Sequence, residues 1–222
     1  MPELQAILFD LDGTLIDSLA DLAESVNRML DDHGYPRRDP ALFPEFIGDG
    51  MAKLVERALP EKARTPETIE TCVADYALHY KKLWKSQTRV YDGILEAIAY
   101  FKERDIRVGC ISNKPHLFTV KCCSHFFPMH TFSVVFGQRE TVPRKPDPAA
   151  ALEAAAILDI PVECCAYVGD SGVDMAFAKA AGMYAIGALW GFRSKKELQD
   201  HGADLLVKTP AELAVALSPD ED

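Results

Sequence analysis

The sequence has no apolar run approaching the roughly 18–20 residues that a membrane span requires, which argues against a membrane partner. It also lacks a C-x-x-C pair. None of its six cysteines (Cys72, Cys110, Cys122, Cys123, Cys164, Cys165) has a histidine at zinc-ligand spacing, so a zinc module is not expected. The cysteines read as reduced thiols in core or near-surface positions. Positive charge is scarce too: 24 Lys and Arg against 34 Asp and Glu give a net charge of −10. Nucleic acid calls for clustered Lys and Arg against its phosphates, so it is not an expected partner. The start, Met1-Pro2-Glu3, has neither the basic nor the apolar region of a secretory signal, and a cytoplasmic location is the expectation. Internal repeats and low-complexity segments are missing, and the acidic tail 218–222 is expected to fray.

What is present is ordinary globular composition, 48% apolar and 26% charged over 222 residues, enough for one good-sized domain with an insert or for two small ones. Short apolar runs at 4–9, 106–111, 164–168 and 184–187 read as buried strands, with weaker ones at 133–136 and 204–207. Helical stretches at about 94–104, 115–126, 147–158, 173–181, 195–201 and 211–217 alternate with them. The expected fold class is therefore α/β, a Rossmann-like parallel sheet covered on both faces. A long, mostly helical gap separates the first strand from the second. Leu19, Leu22, Ala23, Val26, Met29 and Leu30 share one helix face, as do Ile69, Cys72, Val73, Tyr76, Tyr80 and Leu83, with a shorter helical piece at 50–59 between them. The expected organisation is a core of residues 1–15 and 90–222 with an inserted α-helical cap at 16–89, closing near the turn at Tyr91, Asp92 and Gly93.

Four segments follow strand-like runs: 10–14, 112–114, 144–147 and 169–174. In an open parallel sheet they would gather beyond the carboxyl ends of the strands, where ligands bind. Asp10 and Asp12 repel at this spacing, so a proton or a cation must offset them. A hard cation such as Mg²⁺ takes oxygen ligands and keeps sites for phosphate oxygens, and Asp170 could complete its set. One carboxylate can attack phosphorus while the other protonates the leaving oxygen and later deprotonates water. Gly13 permits a tight turn with its amides facing a phosphate. Ser112 and Lys145 would hold phosphoryl oxygens and stabilise transition-state charge. Each piece alone has a plain structural reading: Asp-Gly marks turns, a lone lysine is most often solvated, and Asp174 suits the first turn of a helix.

Together the segments resemble the haloacid dehalogenase-like superfamily of hydrolases, whose pattern runs D-x-D-G-T, a Ser or Thr after an apolar strand, a Lys, then G-D-x-x-x-D. Here these are Asp10, Asp12, Gly13 and Thr14; Ser112; Lys145; and Gly169, Asp170 and Asp174. The resemblance implies that Asp10 is nucleophile and metal ligand. It makes Asp12 the general acid/base, with its backbone carbonyl on the metal, and Asp170 a further ligand. Asp174 supports the metal shell or Lys145, and Thr14 orients the loop. Ser112, Lys145 and the neighbouring Asn113 reach the phosphate. The second aspartate points to phosphate rather than halide. Lys53 occupies the position of the Schiff-base lysine of phosphonate-cleaving relatives, but its surroundings do not resemble theirs, and it reads as a solvated helix lysine.

Residues 46–50, 54–59 and 188–192 resemble the phosphoglycolate phosphatase subgroup. There Gly48, Asp49 and Gly50 would offer backbone amides to a substrate carboxylate, although Asp49 disfavours an anion unless it points away. The expected activity is a Mg²⁺-dependent phosphomonoesterase working through an aspartyl-phosphate on a small anionic phosphorylated metabolite, 2-phosphoglycolate first. The alternatives are a sugar phosphate, nucleotide or pyrophosphate substrate, a phosphosugar mutase, or a binding module that kept the fold. A monomer or a homodimer is expected.

Overall fold

The computed structural model describes residues 3–217; the tail expected to fray lies outside them. In chain order the elements are β1 (Ala6–Phe9), β2 (Ile16–Asp17), α1 (Leu19–Asp32), α2 (Phe43–Phe46), α3 (Met51–Ala58), α4 (Pro66–Leu83), β3 (Arg89–Val90) and α5 (Ile94–Lys102). They continue with β4 (Arg107–Pro115), α6 (His116–Phe126), β5 (Val134–Gln138), α7 (Ala149–Leu158), β6 (Cys165–Gly169) and α8 (Gly172–Ala181). The last four are β7 (Tyr184–Ala188), α9 (Lys195–Asp200), β8 (Leu205–Val207) and α10 (Pro210–Ala216). Internal contacts divide the chain into two compact units, Met1–Leu15 with Val90–Asp222, and Ile16–Arg89. Among the described residues no helix is long and apolar enough to cross a membrane.

The first unit is an α/β fold around a six-stranded sheet of order β5-β4-β1-β6-β7-β8, with every neighbouring pair parallel. β1 takes a central place because its four residues, Ala6, Ile7, Leu8 and Phe9, are all apolar and can be covered on both faces; all are fully buried. Burying each large side chain there contributes about 1.5–3 kcal/mol. The packing is close enough that a Cβ on Gly109 would strike Leu8 and Val134. α7 and α8 bring small residues to the core: Ala150, Ala151, Ala154, Ala155, Ala178 and Ala181 cluster with Leu8, Tyr167 and Phe177. The weakest strand signals became the edge strands β5 and β8, which are covered least and need the shortest apolar runs. β4 runs past its apolar stretch to Pro115, pairing there with Gln138 after a register shift. Ser112, Asn113 and Lys114 therefore lie within the strand rather than in the loop after it, and polar side chains hid this from the apolar pattern. All six cysteines are free and buried. Burial pushes Cys122 up to about 12 and Cys165 to about 11, which keeps both as thiols.

The second unit is built on α1 packed against α4, with α3 also on α4 and α2 on α3. α4 starts at Pro66 behind Thr65, whose hydroxyl accepts from Thr68 N, a favoured helix start. The faces in contact carry Leu22, Val26, Met29 and Leu30 of α1 and Cys72, Tyr76 and Tyr80 of α4, all buried. Asp21 is a buried carboxylate on α1. It accepts hydrogen bonds from Gln87 N at 3.0 Å, Thr88 N at 2.9 Å and Thr88 Oγ1 at 2.7 Å. This ties the return segment of the chain to the first helix of the unit.

Candidate active site

Asp10 follows β1 directly, its amide donating to Val168 O of β6 at 2.9 Å. Gly13 has φ +88°, and a Cβ there would collide with the Asp170 carboxylate, so the turn admits only glycine. Thr14 Oγ1 donates to Asp170 Oδ1 at 3.0 Å, and Phe192 N donates to Asp170 Oδ2 at 2.8 Å. Trp190 Nε1 donates to Thr14 O at 2.9 Å, so the segment after β7 fastens both the β1 loop and Asp170. Asp174 begins α8 in a capping box with Ser171, receiving Ser171 Oγ at 2.6 Å and Ser171 N at 3.1 Å on Oδ2.

Lys145 links these pieces. Its Nζ lies 2.7 Å from Asp174 Oδ1 and 2.9 Å from Asp10 Oδ1, and donates to Tyr167 Oη at 2.8 Å. The backbone of Lys145 is held by Asn113, whose Oδ1 accepts from Lys145 N at 3.0 Å and whose Nδ2 donates to Lys145 O at 3.2 Å. Asn113 is thus a brace for the lysine. Ser112, also buried, accepts from Lys114 N at 3.3 Å. Lys114 escaped the sequence reading. Its Nζ donates to both carboxylate oxygens of Asp12, each at 2.8 Å. Strand alternation places residue 114 on the side of Ser112, a signal that was available. The other residues missed are Tyr167 and Ser171, whose hydroxyls are read only from contacts.

One carboxylate oxygen from each of Asp10, Asp170 and Asp174 lies within 4.8 Å of the others, and all three residues are buried. Burial raises Asp10 to about 6, Lys145 pulling it back and Asp174 adding to the rise. Burial also drives Asp170 well above the carboxylate range, with Asp174 and Asp10 acting in the same direction. Burial pulls Lys145 down, but Asp10 and Asp174 together outweigh it and hold the lysine above its usual range. One ammonium among three buried carboxylates leaves excess negative charge. Asp10 Oδ1 is buried with the Lys145 ammonium against it at 2.9 Å, an ammonium that Asp174 shares. A divalent cation fits this donor set, hard oxygen throughout. The Asp12 carboxylate is engaged by Lys114.

Gly48, Asp49 and Gly50 belong to the second unit, between α2 and α3. Gly48 has φ +119° and Gly50 φ +86°, a backbone that disfavours any side chain. Asp49 Oδ2 is paired with Arg57 Nη2 of α3 at 2.5 Å, and Arg57 Nη1 donates to Phe46 O at 3.1 Å. The extra carboxylate therefore has a counter-charge. Lys53 is exposed and pairs with Glu56 at 2.7 Å, as a solvated helix lysine does.

Residues 7–188 match the model of the haloacid dehalogenase-like hydrolase family. The chain belongs to that family. It is similar to phosphoglycolate phosphatases from Chromobacterium violaceum (32% identity, 96% of each chain) and Colwellia psychrerythraea (30% identity, 98% of each chain). Among solved structures it is similar to one from Lactobacillus delbrueckii subsp. bulgaricus, provisionally assigned as a phosphoglycolate phosphatase. The TM-score is 0.92 at 27% identity, covering 98% of this chain and 100% of that one. It shares its fold with CbbY from Rhodobacter sphaeroides, solved in complex with phosphate (TM-score 0.79, 24% identity, 95% of this chain and 96% of that one). With these phosphatase relatives along its full length, the chain is an enzyme of the phosphoric monoester hydrolase class.

Proposed function

We propose that the chain hydrolyses 2-phosphoglycolate by a Mg²⁺-dependent mechanism in which the phosphoryl group passes through Asp10. The observation that carries this reading is the buried Asp10, ion-paired at 2.9 Å with Lys145 and grouped with Asp170 and Asp174. A carboxylate so held can attack phosphorus, because Lys145 offsets part of the burial cost of its charge. Asp10, Asp170 and the Asp12 carbonyl would hold Mg²⁺, with Asp174 supporting; the bound ion supplies positive charge against these carboxylates and the phosphate. Ser112 Oγ and Lys145 Nζ bind phosphoryl oxygens as charge builds on them. Asp12 gives its proton to the leaving oxygen, then takes one from the water that cleaves the aspartyl-phosphate. Asn113 and Tyr167 keep Lys145 in place.

The substrate rests on the second unit, read as the family's cap, and on its similarity to the phosphoglycolate phosphatases. The Gly48–Gly50 backbone turns through positive φ at both glycines, a form suited to a tight loop against a small anion, and the Arg57 pairing neutralises Asp49. Purified protein with Mg²⁺ is expected to release phosphate from 2-phosphoglycolate well above its rate on aryl phosphates, and Asp10→Asn is expected to abolish release. Full activity in that variant would overturn the mechanism; equal turnover of 2-phosphoglycolate and aryl phosphates would overturn the substrate.

A further inference from the structure

The end of β4 presents three consecutive polar residues, and all three are buried. Ser112 is the hydroxyl read as a phosphate ligand, and Asn113 braces Lys145. Lys114 does something else: its ammonium makes two 2.8 Å hydrogen bonds to Asp12, one to each oxygen. The side chains of this pair are only 5% and 11% exposed. Burying an ammonium is costly unless its partner is close and well aligned, so the contact is not a solvated surface pair. Lys114 is anchored at both ends of its peptide, its N donating to Ser112 Oγ at 3.3 Å and its O accepting from Thr119 Oγ1 at 3.1 Å. The position is also closed from behind, since a Cβ on Gly137 would strike Thr119 Oγ1 and Lys114 O. The two aspartates of the β1 loop thus each meet a different buried lysine, Asp10 meeting Lys145 and Asp12 meeting Lys114.

We propose that Lys114 is the positioning residue of Asp12, fixing its carboxyl group where it can protonate the leaving oxygen. The inference rests on the acid/base reading of Asp12 given above. In the step concerned, a bond forms between Asp10 and phosphorus while the bond to the leaving oxygen breaks. The electron pair stays on that oxygen, and the Asp12 proton transfers to it. A poor leaving group depends on that proton and a good one hardly does. Lys114 therefore matters in proportion to how poor the leaving group is. A phosphate-binding lysine or a purely structural one would affect all substrates alike.

The test measures kcat/KM, which reports the phosphorylation of Asp10, on p-nitrophenyl phosphate, phenyl phosphate and a simple alkyl phosphate. Lys114→Met is expected to lower the alkyl phosphate value roughly 10–100-fold and the p-nitrophenyl phosphate value less than about 3-fold, a fraction of the full effect of a general acid. Lys114→Arg keeps the charge and a two-pronged donor, and is expected to recover part of the alkyl phosphate activity. Inhibition by inorganic phosphate should be unchanged in both. If Lys114→Met does not fold, Lys114→Gln carries the same comparison. Asp12→Asn serves as the reference, with the same selectivity and a larger loss. If Asp12→Asn shows that selectivity and the Lys114 variants lower all substrates equally or not at all, the inference falls alone. If Asp12→Asn itself shows no selectivity, the acid/base reading of Asp12 falls and the inference with it.

Discussion

The sheet edge of the first unit and the helical second unit use polar residues in opposite ways. At the sheet edge Asp10, Ser112, Asn113, Lys114, Lys145, Asp170 and Asp174 are buried, and all but Ser112 are held by a neighbour from another strand or loop. In the second unit most charged pairs stand in solvent: Arg37 with Glu24 and Asp31, Arg28 with Glu24, Lys53 with Glu56. Such pairs contribute about 0–1 kcal/mol each. Asp21 and the Asp49–Arg57 pair are the departures. A buried polar network tolerates little change, because any orphaned charge costs several kcal/mol. A solvated surface can vary freely. On the proposed function, the difference would separate the chemistry on phosphate, which we assign to the first unit, from selection, which we assign to the second.

The largest effect that would break this contrast is at Lys145. Lys145→Ala leaves Asp10 and Asp174 without their ammonium. It should cost about 3–5 kcal/mol of stability and on the order of 10²–10³ in kcat or more, read by chemical denaturation and phosphate release. Wild-type turnover in this variant would remove the network from the chemistry. Next is Asp21→Asn in the second unit, which replaces an acceptor of several buried donors with a partial donor. A loss of about 2–4 kcal/mol is expected by thermal or chemical unfolding, while a change under about 0.5 kcal/mol would show that Asp21 is not the tie described.

The third prediction concerns pH. Asp10 sits at about 6 in the folded protein against 3.8 for the free side chain, burial being the main cause. Its protonated form is therefore favoured by folding. The stability it contributes is fully present below about 3.8 and is lost as pH rises through about 6, at most about 3 kcal/mol from this group. Asp170 acts in the same direction. The proposed Mg²⁺ would bind the ionised carboxylates, so adding it should stabilise the protein more at pH 7.5 than at pH 5 in parallel thermal melts. Equal gains at both would contradict the assigned donor set. The fourth effect is the smallest on turnover. Arg57→Ala should raise KM for 2-phosphoglycolate about 10-fold, with kcat nearly unchanged, by exposing Asp49 to an anionic substrate. Asp49→Asn in the same chain should restore it; an unrestored KM would mean that Arg57 acts by some other route.

Much of the core was legible in the sequence because a parallel sheet buried on both faces writes itself as unbroken apolar runs, as in Ala6–Phe9 and Cys165–Gly169. The segments carrying the aspartates, Ser112 and Lys145 stood out because they follow such runs in order, and the structure joins Asp10, Lys145, Asp170 and Asp174 among them. What did not show was the wiring. The polar end of β4 broke the apolar pattern, so Lys114 was passed over although it lies two residues after Ser112. That Asn113 braces Lys145 depends on a contact across 32 positions in the chain, which spacing cannot reveal. The Asp49–Arg57 pair spans α3's first two turns, and the positive-φ backbone of Gly48 and Gly50 on either side of Asp49 does not show in a pattern of apolar residues.

The most direct measurement is acid quench of a single turnover of 2-phosphoglycolate with Mg²⁺, followed by peptide mass mapping. The account predicts a transient addition of one phosphoryl group on the peptide carrying Asp10, absent in Asp10→Asn. Turnover with no phosphorylated peptide, or with the group on another residue, would contradict it.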